Sequence, residues 1–448
     1  MVYPSARRYF SRANPFIANH TQIDTGFFAR SHLILFFTSG SAMGKRSRTP
    51  TLDSVAPNPV PAHSSEVTLV EDGISYTAIT EGLATVLFPK DNPGKKGVES
   101  PVFYNPIQQF NRDLSVLAIK AFGELYLLEK QRKGKPKPKP PKQVDPAKGT
   151  EAGIEGPPSA GTSPNQKFTI LDALSATGLR ALRYVLEIPF VTSATANDLS
   201  VSACQSIRRN VSYNRTHAQS IEPAAMSPDT AVSKIYVETA NASHHMYSVL
   251  SHSSTAAMEG SGHQKPARRF GRYDVIDLDP FGTAAPFLDA AVQAVQDGGM
   301  LCITCTDAGV WASTGYSEKC FSLYGGSPIK GEWSHEAGIR LILNATATSA
   351  AKYGCSIEPL LSLSVDFYAR IFVRVRKSPQ EVKKLASTSM IVYNCDSGCG
   401  SWATQMLGKR KEERNKNGAG TYQKYGLAMG PTSGMDCPEC GFAMHVSA

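Results

Sequence analysis

Three acidic residues, Asp172, Asp198 and Asp279, each close a short apolar run, in "FTILD", "ATAND" and "YDVIDLDPFG". An ionised carboxylate only accepts hydrogen bonds, so such residues suit ligands that present hydroxyls or amines. The third run ends in a richer group, because Pro280 and Gly282 turn the chain and Phe281 adds a ring. A simple turn accounts for the proline and the glycine. It does not account for two carboxylates and an aromatic side chain at the same bend. An acid, a carbonyl fixed by proline and a ring are the parts needed to hold the exocyclic amine of a nucleobase. Asp279 and the Pro280 carbonyl would accept its two N–H groups, and Phe281 would stack on a base taken out of its helix. Asp279 is favoured over Asp277, which lies two residues earlier on the same strand face and is left to orient its neighbour or to bind a backbone amide.

The elements that must position these residues alternate. "FTILD", "ATANDLS", "KIYVETA", "YDVIDLDPFG" and "GMLCITCTD" read as strands. Helical patterns start near Gly178 and cover "VSACQSIRRNVSYN" and "AAPFLDAAVQAVQ". Strands alternating with helices predict an α/β fold, a parallel sheet with helices on both faces and right-handed crossovers. Ligands of such sheets lie at the carboxyl ends of the strands, where Asp172, Asp198 and Asp279 would converge. The stretch "DALSATGLR" contains only Gly178, so it is not the dinucleotide fingerprint G-x-G-x-x-G. A ligand held by small residues, with its ribose on an acid at the second strand, fits better, and S-adenosylmethionine meets that description. The plainer use of Asp172 and Asp198 is to cap the helices that follow; three acids in strand order favour the cofactor.

Around this core, "VTLVEDGISYTAITEGLATVLFP" mixes alternating apolar residues with turn signals and predicts short strands, and residues 111–130 space apolar side chains as a core-facing helix does. "HEAGIRLILNATATSAAKYG" predicts a long helix, with Glu336 favouring its N-terminal dipole. "EPLLSLSVDFYARIFVRVRK" predicts two strands that would finish the sheet as a hairpin. Residues 131–167, 215–232 and 251–270 are polar inserts; the first, opening "QRKGKPKPKPPK", cannot bury enough apolar surface to fold. Residues 1–42 carry Arg7, Arg8 and Arg12 with no acid among the first 23 positions, as a mitochondrial transit peptide would, the plainer alternative being an unstructured basic tail. Met43 offers a second start followed by a short basic cluster that serves nuclear import or is simply solvated. The division expected is therefore an extension over 1–42, a linker over 43–66, a catalytic domain over 67–377 and a C-terminal region over 378–448.

The chain has 448 residues, enough for a large core, with a net charge of +9 that favours an acidic partner such as nucleic acid. No run approaches the roughly 18 apolar residues a membrane helix needs. Nine cysteines, scattered and odd in number, do not read as a disulfide framework. Cys395 and Cys399, paired with Cys437 and Cys440, have the spacing of a structural zinc site, against the plainer alternative of four unrelated thiols. The charge run "GKRKEERNKN" between the pairs is either a solvated face or a contact for RNA phosphates.

In order along the chain, "EGLATVLFP", "VFYNP", "NRDLS", "DALSATGLRALRY", "ANDLS", "DLDPFG", "TCTD", "SPIKGEWSHEAGIRLIL" and "DFYARIFVRV" resemble the tRNA (guanine-N2)-dimethyltransferases that act on the guanine at tRNA position 26. The likeness covers about Glu81 to Lys377, apart from the inserts. It implies a Rossmann-like class I methyltransferase fold, S-adenosyl-L-methionine as cofactor and tRNA as partner. Carried over by position, Arg112, Arg180 and Asp198 would contact the cofactor, with Thr239 and Ala240 near its adenine. Thr239 stands where the family usually has an acid, with Glu238 beside it. Comparable cysteine pairs in the family imply a structural zinc ion. Relatives usually continue into a C-terminal portion that grips tRNA, so 378–448 reads as a shortened version of it. A monomer in the nucleus, the mitochondrion or both is expected. The competing readings are a tRNA-binding protein without catalysis and a methyltransferase for another exocyclic amine, such as adenine N6.

Overall fold

A computed structural model of the chain describes residues 33–37, 63–68, 75–89, 104–134, 166–217, 227–255, 271–365, 368–395, 397, 399–416 and 420–447. Its elements run β1 (Leu33–Phe37), β2 (His63–Thr68), β3 (Ser75–Glu81), β4 (Ala84–Pro89), α1 (Gln109–Gly134), β5 (Thr169–Asp172), α2 (Leu179–Glu187), β6 (Ser193–Asp198), α3 (Val201–His217), α4 (Pro228–Val232), β7 (Ile235–Thr239), α5 (Ala242–Thr255), β8 (Tyr273–Leu278), α6 (Ala285–Ala294) and β9 (Val295–Cys305). They continue with α7 (Ala308–Trp311), α8 (Ser317–Tyr324), α9 (Ser334–Ala351), β10 (Cys355–Val365), β11 (Tyr368–Lys377), α10 (Pro379–Val382), β12 (Met390–Cys395), β13 (Trp402–Met406), β14 (Gly408–Arg414), β15 (Thr421–Leu427) and β16 (Met444–Ser447).

The main sheet has the order β1-β10-β11-β9-β8-β5-β6-β7. β5 to β9 are parallel, β11 runs against β9, and β10 against β11. The expected reversed strand and hairpin are thus present, but the hairpin does not finish the sheet, because β1 pairs outside β10. All six residues of β8 are buried, which is why this strand reads as an unbroken apolar run. Alternate side chains feed two cores. Leu171, Ile276, Leu301 and Ile371 pack under α5, α6 and α9, while Ile170, Val275, Met300 and Phe372 pack under α1 and α2. Burying one such aliphatic side chain contributes roughly 1.5–3 kcal/mol, and this double-sided burial fixes the sheet's register.

Several boundaries differ from those read in the sequence. Leu33–Phe37, inside the segment read as an extension, is an edge strand pairing parallel with β10. His63–Thr68 starts in the expected linker and pairs with β3. α1 and α3 run past Gln131 and Arg215 into the polar inserts, and Pro228–Val232 is a short helix where a loop was expected, capped by Ser227. The centres of the inserts, 135–165, 218–226 and 256–270, lie outside the described residues, as does the N-terminal arginine cluster.

β3 and β4 are fastened to the main domain by two asparagines one turn apart on α3. Asn210 Oδ1 accepts from Leu87 N at 3.0 Å and Asn214 Oδ1 from Thr85 N at 2.9 Å, while Asn214 Nδ2 donates back to Thr85 O at 2.6 Å. Two buried side-chain amides here take the place of a neighbouring strand. The C-terminal region forms a three-stranded sheet, β13-β12-β16, and a two-stranded ribbon, β14-β15. No helix among the described residues is long and apolar enough to cross a membrane.

Candidate functional site

β5 and β8 are neighbours where the strand order reverses, the position at which open α/β sheets bind ligands. Their register sets Asp172 beside Asp277, and both carboxylates are fully buried. The pair is resolved asymmetrically. Burial, then the charge of Asp277, pushes Asp172 up to about 7, against the hydrogen bond from Ser175 and the charge of Arg180. Burial would raise Asp277 as well, but Arg370 and Arg180 hold it below the usual carboxylate range. Asp172 Oδ2 accepts from Ser175 Oγ at 2.5 Å, whereas its Oδ1 has no partner among the described residues.

The turn after β8 carries the chemistry read from the sequence. Arg180, buried at the start of α2, donates through Nε and Nη2 to Asp279 Oδ2 at 3.0 and 2.6 Å; Oδ1 receives neither bond. Burial opposes the charge of Arg180, and Asp279 and Asp277 keep it protonated. Pro280 is buried, while Phe281 is 82% exposed at the strand end. Gly282 has φ +85°, so the bend takes a left-handed conformation that favours glycine. The bend is clamped to the end of β9, because Gly282 N donates to Thr306 Oγ1 and Thr306 N to Gly282 O, each at 2.8 Å. Tyr324 OH then donates to Asp307 at 2.9 Å and shares a 2.7 Å hydrogen bond with Thr283 Oγ1, bracing the turn.

Three strand-end loops are knotted together beside it. Ala176 (φ +49°) and Gly178 (φ +80°) bend the loop after β5 back over the sheet. Asp198 receives Ala176 N on Oδ2 and Ser200 N on Oδ1, both at 2.9 Å, so it joins the first loop to the second. Asn197 Nδ2 donates to Ala173 O and Ala240 O, each at 3.0 Å, and Ala240 N donates to Asp198 O at 3.1 Å. Thr239 is exposed at the end of β7, with Glu238 half-buried before it. The site residues at the ends of β5, β6, β7 and β8 are therefore gathered at one end of the sheet.

The two arginines read as cofactor contacts have carboxylate partners within the chain. Arg180 is on Asp279. Arg112 donates through Nε to Glu81 Oε2 at 2.7 Å and through Nη2 to Asn105 O at 3.0 Å. The "NRDLS" stretch of α1 serves several partners: Asp113 accepts from Arg183 at 2.5 Å, and Ser115 Oγ accepts from both Arg180 and Arg370 at 3.2 and 2.8 Å. The sequence reading missed Ser115, Tyr184, Asn197 and Arg370. Only one signal pointed to any of them, a charged residue inside the otherwise apolar strand "YARIFV". At the start of α9, His335 bonds to Ser364 and Glu336 to Arg340.

The four C-terminal cysteines do converge. Their sulfurs all lie within 4.8 Å of one another, with Cys395–Cys440 at 3.5 Å and Cys399–Cys437 at 3.6 Å. A tetrahedron with metal–sulfur bonds of about 2.3 Å has edges of about 3.8 Å, so this cluster could bind a metal ion. Burial would raise Cys437, yet the backbone N–H groups of Glu439 and Cys440 bring it down to about 6, favouring the thiolate a metal requires.

A family model described as N2,N2-dimethylguanosine tRNA methyltransferase matches residues 82–448. The Saccharomyces cerevisiae mitochondrial tRNA (guanine(26)-N(2))-dimethyltransferase is 41% identical over 381 residues, covering 83% of this chain and 60% of the yeast protein. The human tRNA (guanine(26)-N(2))-dimethyltransferase is 36% identical over 384 residues, covering 82% of this chain and 51% of the human protein. The chain thus spans roughly half to three-fifths of the length of these relatives. Among solved structures, Trm1 from Pyrococcus horikoshii in complex with S-adenosyl-L-methionine superposes with a TM-score of 0.51 at 26% identity, covering 80% of this chain and 74% of the other.

Proposed function

Since the chain belongs to the N2,N2-dimethylguanosine tRNA methyltransferase family, we propose that it methylates N2 of the guanine at tRNA position 26, using S-adenosyl-L-methionine. The observation that carries this reading is the turn after β8, where Asp279 has one carboxylate oxygen committed to Arg180 and the other not, beside the Pro280 carbonyl and the exposed ring of Phe281.

The residues present fit the cofactor. Asp172 offers a buried Oδ1 without a partner among the described residues, and the loop from Ala173 to Gly178 has only small side chains apart from Leu174 and Thr177. Asp172, Asp198, Thr239 and Ala240 would hold it, with Arg112 and Arg180 at its charged end. When bound, it supplies a methyl group made electrophilic by a positively charged sulfur.

An exocyclic guanine amine is a weak nucleophile because its lone pair is delocalised into the ring. Asp279 Oδ1 and the Pro280 carbonyl accept its two N–H bonds, which draws the nitrogen out of the ring plane and frees the lone pair. Arg180 fixes the plane of the Asp279 carboxylate, and Phe281 stacks on the flipped base. As the carbon–nitrogen bond forms, the amine sheds one proton, for which Asp279 Oδ1 is the adjacent acceptor. After one transfer the amine still has an N–H, so a second methylation uses one of the same two acceptors.

Four sulfurs at tetrahedral separations support zinc at Cys395, Cys399, Cys437 and Cys440, as a brace for β12 and β16. The arginines of residues 1–42 and the basic cluster after Met43 support addresses in the mitochondrion and the nucleus. Incubating the protein with unmodified tRNA and cofactor, followed by nucleoside mass spectrometry, should yield N2-methylguanosine and N2,N2-dimethylguanosine. A folded protein that binds tRNA and leaves guanosine unmodified would overturn the proposal.

A further inference from the structure

Asp279 is the last member of a chain of alternating charges that runs into the sheet. Asp279 Oδ2 is held by the Arg180 fork, Arg180 Nη1 reaches Asp277 Oδ2 at 3.4 Å, and Asp277 Oδ1 accepts from Arg370 Nη1 at 2.8 Å. Tyr184 OH donates to the same Asp277 Oδ2. Arg370 is fully buried on β11, the strand that runs against its neighbours, and it also donates to Thr304 Oγ1 and Ser115 Oγ, both at 2.8 Å. Its Nε has no partner among the described residues.

A buried arginine with an unsatisfied N–H is a poor device for stability, because the cost of desolvating such a pair roughly cancels its attraction. Its effect on Arg180 is more specific. Asp277 and Asp279 compete for one guanidinium. Two formal cations facing two formal anions let each carboxylate have its own arginine, and the distances show that division: 2.8 Å from Asp277 to Arg370 but 3.4 Å to Arg180, and 2.6 Å from Arg180 to Asp279. Without Arg370, Asp277 would be a fully buried carboxylate whose nearest cation is Arg180, and the fork would be drawn inward, off Asp279.

We propose that Arg370 is a positioning residue for methyl transfer: by neutralising Asp277 it leaves the fork of Arg180 to Asp279. This inference rests on the proposed role of Asp279, and it makes a signed prediction. Arg370→Met should lower kcat on the order of 100-fold, the cost of misplacing a reacting group by about 1 Å, with little change in KM for tRNA. Adding Asp277→Asn to Arg370→Met removes the competitor, so the double variant should regain at least 10-fold of the lost kcat. Arg370→Lys, which keeps the charge, should stay within about 10-fold of the parent protein. A purely structural role predicts instead that Asp277→Asn restores only folding stability, by removing an unpaired buried charge, while kcat per folded molecule and the seat of the Arg180 fork are the same in all variants.

Crystal structures of Arg370→Met and of the double variant read the same event without relying on activity. The fork should sit on Asp277 in the first and return to Asp279 in the second. If the fork moves as described but the parent protein transfers no methyl group, the proposed function fails and the coupling stands. If Arg180 stays on Asp279 in Arg370→Met, or the double variant is no more active than the single one, the inference is overturned.

Discussion

Asp172 provides the sharpest perturbation of the site's electrostatics. Its carboxyl is fully buried beside Asp277 and is pushed from an ordinary 3.8 up to about 7. At about 1.4 kcal/mol per pH unit, that rise corresponds to about 4 kcal/mol between the protonation states. The folded protein binds the Asp172 proton more tightly than the unfolded chain does. Its contribution to stability is therefore fully present below about pH 4, falls as the pH rises from 4 to 7, and is lost above that window. Asp172→Asn keeps a neutral side chain of nearly the same shape at every pH. The assay is urea unfolding of parent and variant, without cofactor, at intervals from pH 4 to pH 8, taking the difference so that titrating groups remote from Asp172 cancel. Stability of the parent relative to Asp172→Asn should decline by about 4 kcal/mol across the series, most of it between pH 4 and pH 7. Curves that stay parallel within about 1 kcal/mol would refute the assignment of Asp172 as the protonated member of the pair.

Phe281→Ala should leave the melting temperature and cofactor affinity unchanged, since the ring is 82% exposed, yet lower kcat/KM for tRNA about 5- to 150-fold, the worth of one base–aromatic stack. Asn214→Ala leaves Thr85 N–H and C=O buried without their partner and should cost about 1–3 kcal/mol in thermal or urea unfolding. Purified protein should contain one equivalent of zinc by elemental analysis; Cys399→Ser should abolish it and expose β12 to hydrogen exchange, while the strands of the main sheet keep their protection.

The strand ends were legible because parallel strands covered on both faces read as apolar runs, and an acid closing such a run has few uses. Asp172, Asp198 and Asp279 could therefore be picked out, and Pro280 and Phe281 with them. The partners of these residues were not legible. Asp279 is gripped by Arg180 from α2, 99 positions earlier, and Asp277 by Arg370 from β11, 93 positions later. Ion pairs between distant elements leave no periodicity to follow. Arg370 interrupts an apolar strand, and such an interruption is itself the mark of a buried charge pair, a cue more useful than spacing. Asn210 and Asn214 are likewise unremarkable on a polar helix until β4 is seen lying against them. Leu33–Phe37 is too short to stand out in the sequence, and only its pairing with β10 gives it a place.

The central claim is that Asp279 and the Pro280 carbonyl present a guanine amine for methylation. The most direct measurement is a single-turnover comparison of parent and Asp279→Asn on a tRNA carrying guanine at position 26, with N2-methylated nucleosides quantified by mass spectrometry and cofactor binding measured separately by calorimetry. The account predicts methylation at guanine 26 by the parent, a loss of at least 1,000-fold in the variant (about 4 kcal/mol), and cofactor affinity within a few-fold of the parent. Full methylation by Asp279→Asn would contradict it, as would a loss of transfer matched by an equal loss of cofactor binding.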